Sequence, residues 1–388
     1  MRILYVIDSL GASGAEHSTA AMMPLLRDRG HQVAAATLYD AGFGDEERIR
    51  ADGFDVRPLR ARGLFARVRE LRARIRSERP DVVHTALFDA DIVGRLAAWR
   101  TGARVVSSLV NTTYDVARTS DPNLRRWKLR VVQVLDAVTG RLFVDRFHAV
   151  SHGVADVNAH DLHIPRARID VVHRGRSRDR LGDWSAERRA AVRASLGIGA
   201  DVPLVLAAGR QEHQKAHVDL VAATALLVRR VPAARVLIAG REGNASSVLQ
   251  AALVQHPAAA DAIVLLGHRH DVPDLLCAAD VLAIPSLYEG TAGAALEAMA
   301  LCCPVVCTDL AGVAGVLKRD DNALLVPVGQ PSAMADALER VLTEPALAQG
   351  LRDRGLADFE ERFTIDVAAA AMEAFYADVV ARGRKVQW

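Results

Sequence analysis

Two hydrophobic periods alternate along this chain from end to end. Short β-branched runs, apolar at nearly every position, give way to longer segments whose apolar residues return every third or fourth position. The first pattern is that of buried strands and the second that of amphipathic helices, so their alternation predicts βαβ units on parallel sheets. One set of strands is expected near Arg2 to Asp8, Gln32 to Leu38, Asp81 to Leu87, Arg104 to Val110, Phe147 to Ser151 and Ile169 to His173. A second set follows near Pro203 to Ala208, Arg235 to Ala239, Ala262 to Leu266, Val281 to Ile284, Val305 to Thr308 and Ala323 to Val326. The run Arg174 to Asp183 between the sets is charged and aperiodic, as linkers are. The expected architecture is therefore α/β, with two Rossmann-like doubly wound domains, residues 1–177 and 178–363, joined near residue 178. Residues 364–388 open with an amphipathic helix, Thr364 to Arg382, whose apolar face carries Val367, Ala371, Phe375 and Val379; it is expected to cross back to the N-terminal domain. Two such domains facing each other would gather the carboxyl edges of both sheets around one cleft, where open α/β sheets bind ligands.

A length of 388 residues suits two domains, and a 51% apolar composition supplies each with a core. No apolar run is long enough to span a bilayer, and Met1 to Asp8 reads as a strand rather than a secretory leader. Cys277, Cys302, Cys303 and Cys307 sit in apolar context, which fits reduced thiols and a cytoplasmic protein; the spacing of the last three does not fit zinc. Residues 1–200 hold 33 Lys and Arg against 24 Asp and Glu, whereas the remainder holds 16 against 23. A basic N-terminal half can draw an anionic acceptor or a lipid surface to one lobe. Lysine is scarce: Lys128, Lys215, Lys318 and Lys385 stand among 45 arginines, so a lysine at a chemically pointed position is less readily incidental.

Such a position follows the strand ending at Ala208. There Gly209 leads into Arg210-Gln-Glu-His-Gln-Lys215, two cations at a sheet's carboxyl edge that could stabilise charge on a departing phosphate. Surface cations in a solvated loop are the plain alternative. The second segment, Val281 to Ala300, reads as a buried strand, a glycine-containing turn with Glu289, and a helix with Glu297 inside it. A carboxylate on an otherwise apolar helix needs a partner, either the hydroxyls of a ribose or a salt bridge. The amides of Thr291, Ala292, Gly293 and Ala294 open that helix and suit an anionic oxygen.

Read in order, Gly209-Arg210 with Lys215, the run Leu265-Leu-Gly-His268-Arg269-His270-Asp-Val-Pro-Asp-Leu-Leu276, Glu289-Gly290 with Glu297-Ala-Met-Ala300, and Pro304-Val-Val306 resemble family 4 glycosyltransferases of the GT-B fold. Gly11-Ala-Ser-Gly14-Ala-Glu16, Asp81-Val-Val-His84 and Ala149-Val-Ser151 stand where that family's acceptor-side segments stand, so the resemblance spans most of the chain. It implies a retaining, metal-independent hexosyl transfer from a nucleoside diphosphate sugar, UDP in preference to GDP, to a hydroxyl of a small molecule, glycan or lipid-linked acceptor, with no other cofactor and no nucleic acid. Carried over by position, Arg210 and Lys215 would contact the diphosphate, Glu297 the ribose and Glu289 the sugar hydroxyls. Gly14 would let the backbone approach phosphate or acceptor, and Arg269 and His270 would border the nucleobase. Asn111 stands where many relatives carry a histidine near the sugar, which keeps a hydrogen bond and removes proton transfer; His84 is a further cleft candidate. Ser13 replaces a usual glycine, Ala292 a common proline and Gly315 a frequent glutamate.

Other features carry less. Asp89-Ala-Asp91 spells a metal-binding pair but precedes an apolar-periodic run, as a helix cap does. The arginine-rich helix Leu64 to Arg79 and the stretch Arg125-Arg-Trp127-Lys-Leu-Arg130 are basic enough for peripheral contact with an anionic membrane, although a core-facing helix with solvated arginines also accounts for the first. Two further readings remain: a GT-B nucleotide-sugar epimerase, and a non-catalytic nucleotide-binding partner of another transferase.

Overall fold

The computed structural model describes residues 1–11, 14–42, 44–114 and 125–382. Ser13, one of the departures noted above, lies outside the described residues, as do residues 383–388. The chain divides into two compact units. Among the described residues, the first takes in those up to Gly175 and the last helix, Ile365–Ala381; the second takes in Arg176–Thr364.

In the first unit β1 (Arg2–Ile7), β2 (Gln32–Thr37), β3 (Asp55–Pro58), β4 (Val82–Ala86), β5 (Arg104–Leu109), β6 (Arg146–Ala149) and β7 (Ile169–Val171) form a parallel sheet in the order β3-β2-β1-β4-β5-β6-β7. In the second, β8 (Leu204–Ala208), β9 (Arg235–Ala239), β10 (Ile263–Gly267), β11 (Val281–Ile284), β12 (Val305–Thr308) and β13 (Leu324–Val326) are parallel in the order β10-β9-β8-β11-β12-β13. Both sheets are doubly wound, with chain order reversing between β1 and β4 and between β8 and β11. Each central strand is buried on both faces: Leu204 and Leu206 enter one core layer, Val205 and Ala207 the other. That two-sided burial is why these strands read as continuous apolar runs.

Strand β3 was not expected. It is a four-residue edge strand with one buried residue, Val56, and a terminal proline, so it carries almost no apolar signal. The last helix also turns a different face inward. Val367 and Ala371 are exposed, while Ile365, Ala368, Met372, Phe375, Tyr376 and Val379 are buried in the first unit. The stripe is rotated by one residue because Tyr376 reaches a polar partner, Tyr5 on β1.

That contact begins a buried chain of hydrogen bonds. Tyr5 and Tyr376 hydroxyls are 2.9 Å apart, Tyr376 Oη lies 2.5 Å from His84 Nδ1, His84 Nε2 lies 2.7 Å from Ser108 Oγ, and Ser108 Oγ lies 2.8 Å from His148 Nδ1. His148 Nε2 ends it on the Val172 carbonyl at 3.0 Å. A carbonyl only accepts, so His148 donates from Nε2, and the direction passes back to Tyr5 with both imidazoles neutral and protonated on Nε2. Burial holds His84 well below the usual imidazole range and brings His148 down to about 4. The unfolded chain, with imidazoles near 6.5, therefore takes up protons that the native state refuses. Stability is full above that value and falls as pH drops from about 6.5 toward 4. Histidine nitrogen spectra should show both rings as unshifted Nε2–H tautomers from about pH 8 to about pH 5.5; titration of either ring near neutrality would contradict the network.

Candidate functional site

The reversal between β8 and β11 places two loops side by side at the carboxyl edge of the second sheet. The first leaves β8 through Gly209. A Cβ there would sit 3.2 Å from Cδ and Cε of Lys215, so the glycine makes room for the lysine stem to fold back across the strand end. Gly240, just past β9, packs onto the Gly209 carbonyl, which a Cβ would meet at 1.8 Å. Lys215 closes the short turn His213–Lys215, and its Nζ donates to Glu289 Oε1 at 2.5 Å.

Glu289 belongs to the loop after β11. Its carboxylate is buried and also accepts from Ser286 Oγ at 2.7 Å. Three contacts fix the loop: Leu287 N donates to the Gln214 carbonyl (2.8 Å), Gln214 Nε2 to the Tyr288 carbonyl (2.9 Å), and Thr308 Oγ1 to the Ser286 carbonyl (2.6 Å). Gly312 lies against the Glu289 carbonyl, which a Cβ would meet at 1.7 Å. The loop reaches the helix Gly293–Ala300 through Ala292 at φ 48°, a conformation closed to proline and uncommon for alanine. The replacement of proline thus has a backbone consequence here. Gly315, at φ 83°, likewise occupies a region that a glutamate would enter only with strain.

Glu297 sits one turn into that helix and accepts from Arg176 Nε at 2.8 Å. The Arg176 guanidinium also covers the start of the helix, where a Cβ on Gly293 would meet Nη2 at 2.2 Å. The segment expected to be a plain linker therefore supplies a cation to the site, and its next residues form a capped turn of helix, Arg178–Leu181. Nothing in the charged run Arg174 to Asp183 distinguishes Arg176 by sequence. Its partner is 121 residues away.

A concavity of about 310 Å³ lies here, lined by Lys215, His217, Ser286, Glu289 and Ala292 to Ala294 among others. His217 opens the helix His217–Leu227 and is buried; among the described residues its Nδ1 has no hydrogen-bond partner. Burial, with Lys215 beside it, lowers its pKa to about 4, and a helix N-terminus also disfavours the imidazolium. The buried Thr291 Oγ1 in the adjoining loop is likewise without a partner among the described residues. Such atoms cost stability unless something else satisfies them. His217 went unnoticed in the sequence, where only its place two residues after Lys215 marks it.

Three expected residues do not line this concavity. Arg210 is half exposed, pairs with Glu212 at 3.1 Å and does not line the concavity. Arg269 is held by Asp271 through Nε at 2.7 Å, and His270 packs edge-on against His268; both follow the far strand β10.

In the first unit, Gly14 opens the helix Gly14–Asp28, and a Cβ there would lie 3.5 Å from Arg174 Nη1. A separate concavity of about 530 Å³ is lined by Ala15, Ser18, Thr19, His173 and Arg174 among others. Asn111 turns its side-chain oxygen onto the Thr112 amide at 2.8 Å. His84 faces that concavity, but both of its ring nitrogens are engaged by Tyr376 and Ser108, which removes it from the reacting groups. The Asp89 and Asp91 carboxylates fall in the first turn of the helix Phe88–Ala98 rather than at its cap; Asp91 pairs with Arg95 at 3.5 Å, and Asp8 accepts from the Ala90 amide at 3.1 Å. Among the described residues no group of three His, Cys, Asp or Glu is placed to hold a metal ion, and no helix is long and apolar enough to cross a membrane.

The family model described as Glycosyltransferase Family 4 matches residues 12–180, and that described as Glycosyl transferases group 1 matches residues 202–344. A D-inositol 3-phosphate glycosyltransferase of Saccharomonospora viridis is 31% identical over 326 residues, which cover 76% of this chain and 71% of that protein. Among solved structures, Anabaena HepE in complex with UDP and glucose superposes with a TM-score of 0.81 at 19% identity, over 97% of this chain and all of that one. Sucrose-phosphate synthase from Thermosynechococcus elongatus gives a TM-score of 0.84 at 20% identity, over 99% of this chain and all of that one.

Proposed function

Because this chain belongs to the family 4 glycosyltransferases, we propose that its second unit holds a nucleoside diphosphate sugar, UDP in preference to GDP, and that a hexosyl group passes with retention and without a metal ion to a hydroxyl held by the first unit. One observation carries this reading. At the reversal point of the second sheet, the Lys215–Glu289 pair and the buried His217, whose Nδ1 has no partner among the described residues, line one concavity. Buried polar atoms of opposite character around one small hollow fit a ligand that bears phosphate and hydroxyl groups.

In this reading Lys215 faces the diphosphate as the glycosidic bond breaks. Glu289 keeps Lys215 on Oε1 and accepts a sugar hydroxyl on Oε2. His217, neutral, bonds another sugar hydroxyl. Glu297 exchanges Arg176 for the ribose, and the guanidinium freed at the start of the helix turns to the phosphate, joined there by Arg210. The leaving phosphate remains on the face the acceptor approaches and takes its proton, so no protein base is required. Relatives lend the donor class: the HepE structures contain UDP, and the inositol phosphate enzyme is named for a sugar transfer. The acceptor belongs to the concavity beside Gly14 and Arg174, where a hydroxyl compound carrying an anionic group would meet a cation.

Thermal shift with UDP, GDP and ADP tests the donor assignment, since saturation at a hundredfold excess over Kd adds about 2.7 kcal/mol of stability. UDP should raise the melting temperature most, and Arg176→Ala should weaken UDP about tenfold, the loss of one charge-assisted contact. No shift with any nucleotide would defeat the reading, and an unchanged affinity in the variant would return Arg176 to a purely structural role. Incubation of the donor alone separates transfer from epimerisation, because an epimerase converts the sugar without an acceptor.

A further inference from the structure

The helix Arg126–Phe143 of the first unit carries apolar side chains on two sides: Leu129, Val132 and Ala137 are partly buried against the core, and a second set faces outward. Its core side carries Asp136, which accepts from Arg95 Nη1 at 2.6 Å and from the Tyr114 hydroxyl at 2.8 Å, and Gly140, where a Cβ would lie 3.1 Å from the Phe147 ring. On the opposite side Trp127, Val131, Val134, Leu135, Val138 and Leu142 are 48–63% exposed. Their spacing places all six within an arc of roughly 100° on a helix that turns about 100° per residue. A surface helix ordinarily directs such a stripe to the core. Here the core side is filled by Leu129, Val132 and Ala137 together with Asp136, held by the fully buried Arg95 of the neighbouring helix Phe88–Ala98, and this second apolar stripe is left outside. Among the described residues no other helix exposes more than two large apolar side chains.

Charge identifies the occupant. Arg125 and Arg126 stand at the start of the helix, while Lys128 flanks the stripe on one edge and Arg130 and Arg141 on the other. The one acid of the helix, Asp136, is turned inward. Two copies meeting on this face would set cations against cations with no acid between them. An anionic bilayer satisfies both features, because its interface takes the apolar side chains while the lysine and arginines extend their stems to the lipid phosphates. The arginine-rich helix Leu64–Glu78 offers no comparable face: Arg72 and Arg74 are turned onto the carbonyls of Ala97 and Ala35, and Leu71 and Ile75 are buried.

We propose that the helix Arg126–Phe143 docks this protein on an anionic lipid bilayer, with Trp127, Val131, Val134, Leu135, Val138 and Leu142 entering the interfacial layer and the helix lying in the membrane plane. The docking is independent of the donor reading. Any acceptor carried by that bilayer would reach the enzyme on the surface of its first unit.

Co-sedimentation of the full chain with phosphatidylcholine vesicles containing about 30% phosphatidylglycerol, and with phosphatidylcholine alone, tests it. Binding should be at least about tenfold tighter to the anionic vesicles and should weaken as salt rises. The double change Val134→Asp with Val138→Asp should cost at least about tenfold in partitioning while leaving the melting temperature unchanged, since both side chains already face water. Should that variant fold poorly, Lys128→Ala with Arg130→Ala supplies the same test through charge. Trp127→Phe should abolish most of any fluorescence blue shift on vesicle binding. Equal binding by wild type and a folded variant overturns the proposal. So does a wild-type dimer that the aspartates dissociate, if the dimer shows no vesicle binding, because the face then belongs to a second copy.

Discussion

Replacing Lys215 with alanine is expected to lower donor turnover by a factor of about 100 to 1,000, the range found when one fixed donor is removed from a developing negative charge. The lysine lies at the point where the second sheet reverses, its stem across Gly209 and its Nζ on a buried carboxylate. Its geometry is therefore set before any ligand arrives, and a preorganised cation costs little reorganisation when a bond breaks beside it. The measurement is release of free nucleoside diphosphate from the donor, with the melting temperature recorded beside it. Glu289 retains Ser286 as a partner in the variant, so the fold should survive. A Lys215→Ala enzyme with more than a tenth of wild-type turnover would remove the lysine from the leaving-group role. Unfolding of the variant would instead make the pair structural. Lys215→Arg should fold likewise and recover little activity, because a planar guanidinium does not fit the space that a lysine stem fills over Gly209.

The second large effect is on stability. Arg95→Ala is expected to destabilise the first unit by about 3–5 kcal/mol, the cost of leaving partners of a buried charge uncompensated. Arg95 is fully buried and donates to Asp136 Oδ1 (2.6 Å), to Ser107 Oγ (3.0 Å) and to Thr139 Oγ1 (3.0 Å), and pairs with Asp91. Burial has already brought the Asp91 carboxyl up to about 6, so loss of the guanidinium, which holds it down, should leave that group neutral. Urea unfolding followed through Trp99, which packs on Phe143 at the end of the same helix pair, reports this unit. The midpoint should fall while nucleotide binding by the second unit persists at low denaturant. A change below 1 kcal/mol would mean that water reaches the site. Replacing Arg95, Asp91 and Asp136 together by apolar residues of similar size should recover much of the loss, since the network is needed for its own neutrality rather than for core volume.

What was legible in the amino-acid order was the local and the periodic. The twelve expected strands all form, and the central ones were the plainest, because a strand buried on both faces must be apolar at nearly every position and leaves a run that can be read directly. Family membership was legible for a similar reason. Lys215, Glu289 and Glu297 lie in compact segments just beyond the strands that carry them, so order and spacing along the chain correspond to neighbouring loops at one sheet edge. The short edge strand at Asp55–Pro58 left no such trace, since an edge strand needs few apolar side chains.

Only the tertiary structure decided which polar groups meet. Arg176 joins Glu297, Tyr376 joins Tyr5 and His84, and Arg95 joins Asp136 across separations of tens to hundreds of residues, and no local pattern encodes a contact of that range. Two of these pairings overruled a local expectation. A charged run supplied a cation to the candidate site, and the last helix turned by one residue. The physical reason is common to both. Apolar burial is non-directional and is satisfied by many orientations of an element, whereas a buried hydroxyl or charge must find its partner at hydrogen-bond distance, so it chooses among them.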